Sequence, residues 1–173
     1  MPGRRVFFSF HYERDVWRAA NVRNSGQVDA TTAAGWSDAS IWEEAKLKGR
    51  AALERLIQTA LSGTSVTAVL IGTETSDRPW VAYEIQQSID RGNGLIGVRI
   101  HKIKDRNGQS GKRGQVPKLL EQGGYRIYDW SPRDFGRWVE WAAVEAGKTC
   151  LKHGQVKCFE CMHHWWSSDY SWG

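Results

Sequence analysis

The chain has no disulfide framework. Its three cysteines, Cys150, Cys158 and Cys161, all fall after residue 149 and make an odd count, which fits a reducing compartment. No run approaches the ~20 apolar residues of a membrane span. Met1-Pro-Gly-Arg-Arg5 leads straight into a strand, without a signal-peptide pattern. The expectation is a soluble, cytoplasmic protein with no membrane partner. No segment reads as a P-loop or a dinucleotide GxGxxG. Gly92-Asn-Gly94 follows a helix, the wrong setting for a phosphate cradle. No internal repeat is visible.

What is present is enough apolar sequence, 40% of 173 residues, for a sizeable core. The reading is one domain over residues 1–147 and a Cys/His/Trp-rich tail over 148–173. The formal charge of +5 is unevenly spread. Between Arg99 and Lys118 stand seven Lys/Arg and one acid, Asp105, so the rest of the chain is close to neutral. This basicity belongs to one loop. It suits phosphate groups or nucleic acid, and equally a solvated loop that Gly108, Gly111 and Gly114 make flexible.

Strand and helix signals alternate. Arg4–Phe10 is a first strand and His11–Ala20 a turn and short helix, followed by an irregular stretch from Asn21 to Trp36. Ser40-Ile-Trp-Glu43 has capping-box spacing and opens a long helix whose apolar stripe runs from Ile41 to Leu61. Ser65–Gly72 is a near-continuous apolar run, as in a strand covered on both faces. After a polar turn in which Asp77 can cap, Pro79 suits the first turn of a helix reaching Arg91. Leu95–Ile100 is the next strand, Tyr125–Tyr128 a short last one, and Pro132–Ala146 a final helix with Phe135, Trp138, Val139, Ala142 and Ala143 inward. This alternation predicts an α/β fold with a parallel sheet of four or five strands.

In the helix after the buried strand, Val81, Ile85 and Ile89 form the core stripe. Trp80, Glu84 and Ser88 form a neighbouring one. A carboxylate is thus set beyond the carboxyl end of a strand, where open α/β sheets place their ligands. A solvated helix glutamate is the plainer alternative.

Several blocks converge on one family. Val6-Phe-Phe-Ser-Phe10 resembles the first-strand motif of TIR (Toll/interleukin-1 receptor) domains, and Trp80-Val-Ala-Tyr-Glu84 resembles the TIR helix motif that ends in the NAD-cleaving glutamate. Phe8–Tyr12, Val22–Ser25, Gly35–Ser40, Gly63–Thr67, Leu70–Thr75 and Gly92–Gly97 are similar to the bacterial TIR-like branch that supplies the sensor enzyme of Thoeris anti-phage defence. The likeness covers roughly residues 4–147, in order. It implies a flavodoxin-like three-layer sandwich. It also implies cleavage of NAD, bound as substrate rather than cofactor, to an ADP-ribose-derived and cyclic signal that activates a separate effector. A phage-derived trigger and a homo-oligomer are compatible with it, but the sequence gives neither the trigger nor the oligomeric state. Carried over by position, Glu84 is the catalytic carboxylate. Ser9, Phe10 and His11 border the nicotinamide-ribose pocket, Asp38 lies near it, and Trp80 packs beneath it.

The chemistry asked of Glu84 is modest. Nicotinamide leaves C1′ as a neutral molecule, so no general acid is required, unlike ordinary glycoside hydrolysis. One ionised, partly desolvated carboxylate can bind the ribose hydroxyls and stabilise the developing oxocarbenium charge. Two other readings stay open at this point: a non-catalytic TIR-like scaffold, and a related fold that hydrolyses nucleosides with one carboxylate. In the tail, Cys158-Phe-Glu-Cys161 with His163 and His164 makes a weak zinc candidate that lacks a second CxxC. Reduced thiols in a flexible tail are the rival explanation.

Overall fold

The computed structural model describes residues 4–26, 28 and 39–148. Asp38 and the tail candidates Cys158, Cys161, His163 and His164 lie outside the described residues. In chain order the elements are β1 (Val6–Ser9), α1 (Tyr12–Arg23), α2 (Ala39–Lys48), α3 (Arg50–Leu61), β2 (Val66–Ile71), α4 (Pro79–Asp90), β3 (Gly94–Arg99), α5 (Lys118–Gln122), β4 (Arg126–Asp129) and α6 (Phe135–Glu145). The four strands form one sheet, all neighbours parallel, in the order β1-β2-β3-β4. This is the expected α/β arrangement, with four strands.

A steady strand order with right-handed crossovers puts the helices that lead directly into each next strand on one face. Accordingly α3, α4 and α5 cover one side of the sheet, and α1 and α6 cover the other. Side chains alternate across each strand. In β1, Val6 and Phe8 enter the core shared with α1 and α6, while Phe7 packs among α2 and α3. Ser9, two residues after Phe7, therefore faces the helix side that carries α4.

Three sequence expectations are corrected. The long helix expected from Ser40 to Leu61 is two helices, parted at Gly49 with φ of 95°. That backbone conformation suits glycine and few other residues. The apolar stripe runs through the break unaltered, so the pattern alone cannot register it. The break also re-aims α2: Trp42 is buried, whereas Ile41 is exposed. Helix α2 begins at Ala39, so Ser40 stands inside its first turn rather than before it. Asp77 does not cap α4. It closes a single 3-10 turn, Thr75–Asp77, and Arg78 takes the N-cap position without a side-chain bond. Thr75 organises that turn. Its hydroxyl accepts the Gly72 N–H at 2.9 Å and donates to the Leu70 carbonyl at 3.2 Å.

The third correction concerns the basic loop, whose glycines predict flexibility. It is stitched down. The Asp105 carboxylate accepts the N–H groups of Asn107 (2.9 Å) and Gln109 (3.0 Å), and Gly111 N–H donates to the His101 carbonyl at 2.7 Å. From α1, the Arg18 guanidinium reaches the carbonyls of Ile103 (2.8 Å) and Gln109 (3.0 Å). The Thr73 hydroxyl donates to the Lys112 carbonyl at 2.9 Å. Gly114 has no room for a side chain: a Cβ there would lie 2.0 Å from the Gly72 carbonyl oxygen. The glycines serve close backbone approach here, not freedom.

Candidate active site

Helix α4 leaves the end of β2 through the Thr75 turn, with Pro79 at its start, and lies against the sheet through Val81, Glu84, Ile85 and Ser88. Glu84 is only 7% exposed, so the solvated-glutamate alternative does not hold. Below it, the Ser88 hydroxyl donates to the Glu84 carbonyl at 2.7 Å and lies 2.7 Å from the Thr67 hydroxyl of β2. This polar ladder fixes the turn of α4 that presents the glutamate.

The Ser9 hydroxyl, fully buried at the end of β1, donates to Glu84 Oε2 at 2.5 Å. Among the described residues no cation stands against this carboxylate. Burial pushes its pKa up to about 8, and the Ser9 hydrogen bond offsets only part of that. Burial thus favours the protonated form of the Glu84 carboxyl in the ligand-free protein.

Glu84 lines a cleft of about 170 Å³ together with Phe10, His11, Tyr12, Trp42, Trp80, Lys46 and Arg78. The walls are largely aromatic. Tyr12 stacks on Trp42 with centroids 6.1 Å apart, Phe10 lies 6.1 Å from Tyr12, and Trp80 meets Tyr83 edge-on at 5.7 Å. Trp80 both lines the cleft and packs against the core beneath α3.

Near the mouth, Glu74 gathers three groups: Arg14 at 2.6 Å, Arg78 at 3.0 Å and His11 Nε2 at 3.7 Å. Burial and the Arg78 charge hold the His11 pKa below its usual value, which keeps the imidazole neutral at neutral pH. Lys46 is turned to Glu13 (3.0 Å) and Glu43 (3.1 Å).

Of the residues singled out in the sequence, Phe10, His11, Trp80 and Glu84 meet at this cleft. Ser9 is not part of the lining but bonds to the Glu84 carboxylate. Tyr12, Trp42 and Arg78 line the cleft without having been singled out. Tyr12 closes the Phe8–Tyr12 block, and Trp42 sits within the Ser40–Glu43 spacing, so both were adjacent to signals in the sequence. Nothing local marked Arg78, because its place depends on the turn at Thr75. No cluster able to hold a metal ion occurs among the described residues, and no helix among them is long and apolar enough to cross a membrane.

Comparison with known proteins decides the family. Residues 7–105 match the model of the Thoeris protein ThsB, TIR-like domain, a span that runs from β1 to the basic loop and includes Ser9 and Glu84. The chain belongs to this TIR-like family. It is also 42% identical over 149 residues to a Bacillus cereus (strain MSX-D12) protein named "Putative cyclic ADP-D-ribose synthase ThsB1", covering 80% of this chain and 75% of that one. As a TIR-like domain the fold is flavodoxin-like. The cleft at the carboxyl ends of β1 and β2 is then where a parallel sheet of this kind takes its ligand.

Proposed function

We propose that the protein cleaves NAD at the nicotinamide–ribose bond and closes the ADP-ribose remainder into a cyclic nucleotide. That product acts as the signal to a separate effector in anti-phage defence. The observation that carries the reading is a buried carboxyl, Glu84, with a hydroxyl but, among the described residues, no cation against it, opening onto an aromatic cleft. Nicotinamide in NAD is a flat cation. Aromatic walls favour such a ring, and its charge favours the ionised form of a nearby carboxyl. Glu84 would thus lose its proton as substrate enters and be ionised when needed.

The bonding changes are simple. The C1′–N bond breaks and its electron pair stays on nicotinamide, which leaves neutral. The Glu84 carboxylate stabilises the positive charge that grows on the ribose. A nucleophilic atom of the same nucleotide then bonds to C1′ with release of one proton. Water in its place gives open ADP-ribose. The printed name of the Bacillus relative supports the cyclic outcome. Ser9 fixes and tunes Glu84. Phe10, His11 and Trp80 wall the cleft. Asp38, near the pocket on the family resemblance, would position ribose or the nicotinamide amide.

Mass spectrometry of the products formed from NAD tests this. A cyclic ADP-ribose isomer that disappears in Glu84→Gln supports it. Absence of turnover would favour the alternative of a non-catalytic scaffold, which the buried, cation-free carboxyl argues against, since a scaffold gains nothing from its desolvation.

A further inference from the structure

The cleft accommodates only one end of a dinucleotide, because pockets enclosing ligands of that class run to about 300–1,000 Å³ and this one measures about 170 Å³. With nicotinamide and its ribose inside, the next group along the substrate, the diphosphate, has to lie at the mouth. Deepening the active-site reading, and resting on it, we propose that Arg78 grips this diphosphate and that Glu74 holds the guanidinium in place until the nucleotide arrives.

Several observations converge on Arg78 rather than its neighbours. Burial and the Arg78 charge hold the His11 pKa below its usual value, and its Nε2 already faces Glu74 at 3.7 Å. Lys46 lines the cleft but is already shared between two carboxylates, Glu13 and Glu43. Arg78 has one carboxylate partner, Glu74, and its buried Nε has no hydrogen-bond partner among the described residues. An unsatisfied buried donor is costly unless a ligand completes it. The guanidinium fork matches two phosphate oxygens in a way an ammonium does not. Glu74 can release Arg78 without being stranded, because Arg14 stays 2.6 Å from it. Arg78 also immediately precedes α4, the helix that carries Glu84. One rigid element therefore sets the distance between the gripped diphosphate and the reacting ribose carbon, which is how binding energy remote from the chemistry aligns it.

The experiment uses the full chain and two probes, ADP-ribose and nicotinamide, alongside NAD turnover. In Arg78→Gln, calorimetry should show ADP-ribose binding weakened about tenfold or more. Inhibition by nicotinamide should change less than about twofold. KM for NAD should rise by the same factor as the ADP-ribose dissociation constant, with kcat within about threefold. Arg78→Lys keeps the charge without the fork and should fall between. Unchanged ADP-ribose affinity in Arg78→Gln overturns the proposal. So does an equal loss toward nicotinamide, which would mean that the cleft had collapsed, or an unmodified chain that does not bind ADP-ribose. ADP-ribose binding that depends on Arg78 in a chain that cleaves no NAD would keep this assignment and sink the active-site reading instead.

Discussion

Two carboxylates are buried at the same end of the sheet, and the fold treats them in opposite ways. Asp15, on α1, is 1% exposed and presses against Gly72 at the end of β2, where a Cβ would lie 2.1 Å from its Oδ2. Its other oxygen accepts from Arg18 at 3.1 Å, and the same guanidinium runs on to the basic loop. Glu84, on the other face, is nearly as buried and, among the described residues, its carboxyl has only the Ser9 hydroxyl. Burial raises both pKa values, but Asp15 has a cation pulling the other way and Glu84 has none. The pair separates two uses of a desolvated acid. One is paired with a cation through one oxygen, although its other oxygen, Oδ2, has no hydrogen-bond partner among the described residues, and it serves architecture. The other is left unmatched beside a cleft, where a cationic ligand can complete it.

Substitutions can break this contrast, and the largest effect falls on chemistry. Glu84→Gln should lower NAD turnover at least about 10³-fold while circular dichroism and melting show an intact fold. Wild-type turnover in that variant would remove Glu84 from the mechanism. Asp15→Ala should do the reverse. It takes from the buried Arg18 guanidinium the nearer of its two carboxylates, leaving Asp105 at 3.5 Å, at a cost of about 1–3 kcal/mol, and loosens the basic loop. Denaturant unfolding should register that loss, and an unchanged midpoint would mean that Asp15 matters little to stability.

The pH dependence sharpens the comparison further. An unfolded chain ionises Glu84 near 4.5, whereas the folded one holds the proton to about 8. Between those values the native state binds more protons, so stability falls as pH rises and levels off above about 8. The penalty is on the order of a few kcal/mol. Glu84→Gln should remove it and be more stable than the parent at pH 9; parallel stability curves for the two proteins would contradict this. In the parent, kcat/KM for NAD should climb toward a plateau above pH 8, since it reports the free enzyme.

The smallest effect belongs to Ser9→Ala. It deletes the hydrogen bond that favours the ionised carboxyl, so kcat/KM at pH 7 should drop about threefold to tenfold and recover as pH rises. A uniform loss at every pH would mean instead that the substitution disturbs the geometry of Glu84.

The sequence made the scaffold legible where apolar periodicity and chain order agree. Strand Val66–Ile71, helix Pro79–Asp90 and the inward face of α6 follow directly from their patterns. Glu84 stood out by its spacing from Trp80, and the aromatic block Phe8–Tyr12 pointed to the same cleft. What was hidden depends on distance along the chain or on backbone conformation. The partners Ser9 and Glu84 are 75 residues apart, so no local pattern shows that one tunes the other. The break at Gly49 leaves the helical stripe unchanged. The glycines of the basic loop read as looseness because sequence alone does not reveal that Gly114 lies against Gly72. Arg78 is hidden because Asp77 has the chemistry of a cap, and the 3-10 turn moves that position by one residue.

The meeting of Gly72 and Gly114 has a consequence for how the molecule breathes. Backbone touches backbone there, Arg18 stitches one strand of the loop to α1, and Thr73 stitches the other to the end of β2. Surface loops ordinarily open independently of the core. This one cannot lift without parting the Arg18 bonds or the seam beside β2. Amide exchange at Gly111, whose N–H is bonded to His101, should therefore be as slow as in the central strands. A long, charged, glycine-rich segment then opens in the same cooperative unit as the sheet, and insertions into it should be tolerated poorly despite its place on the surface.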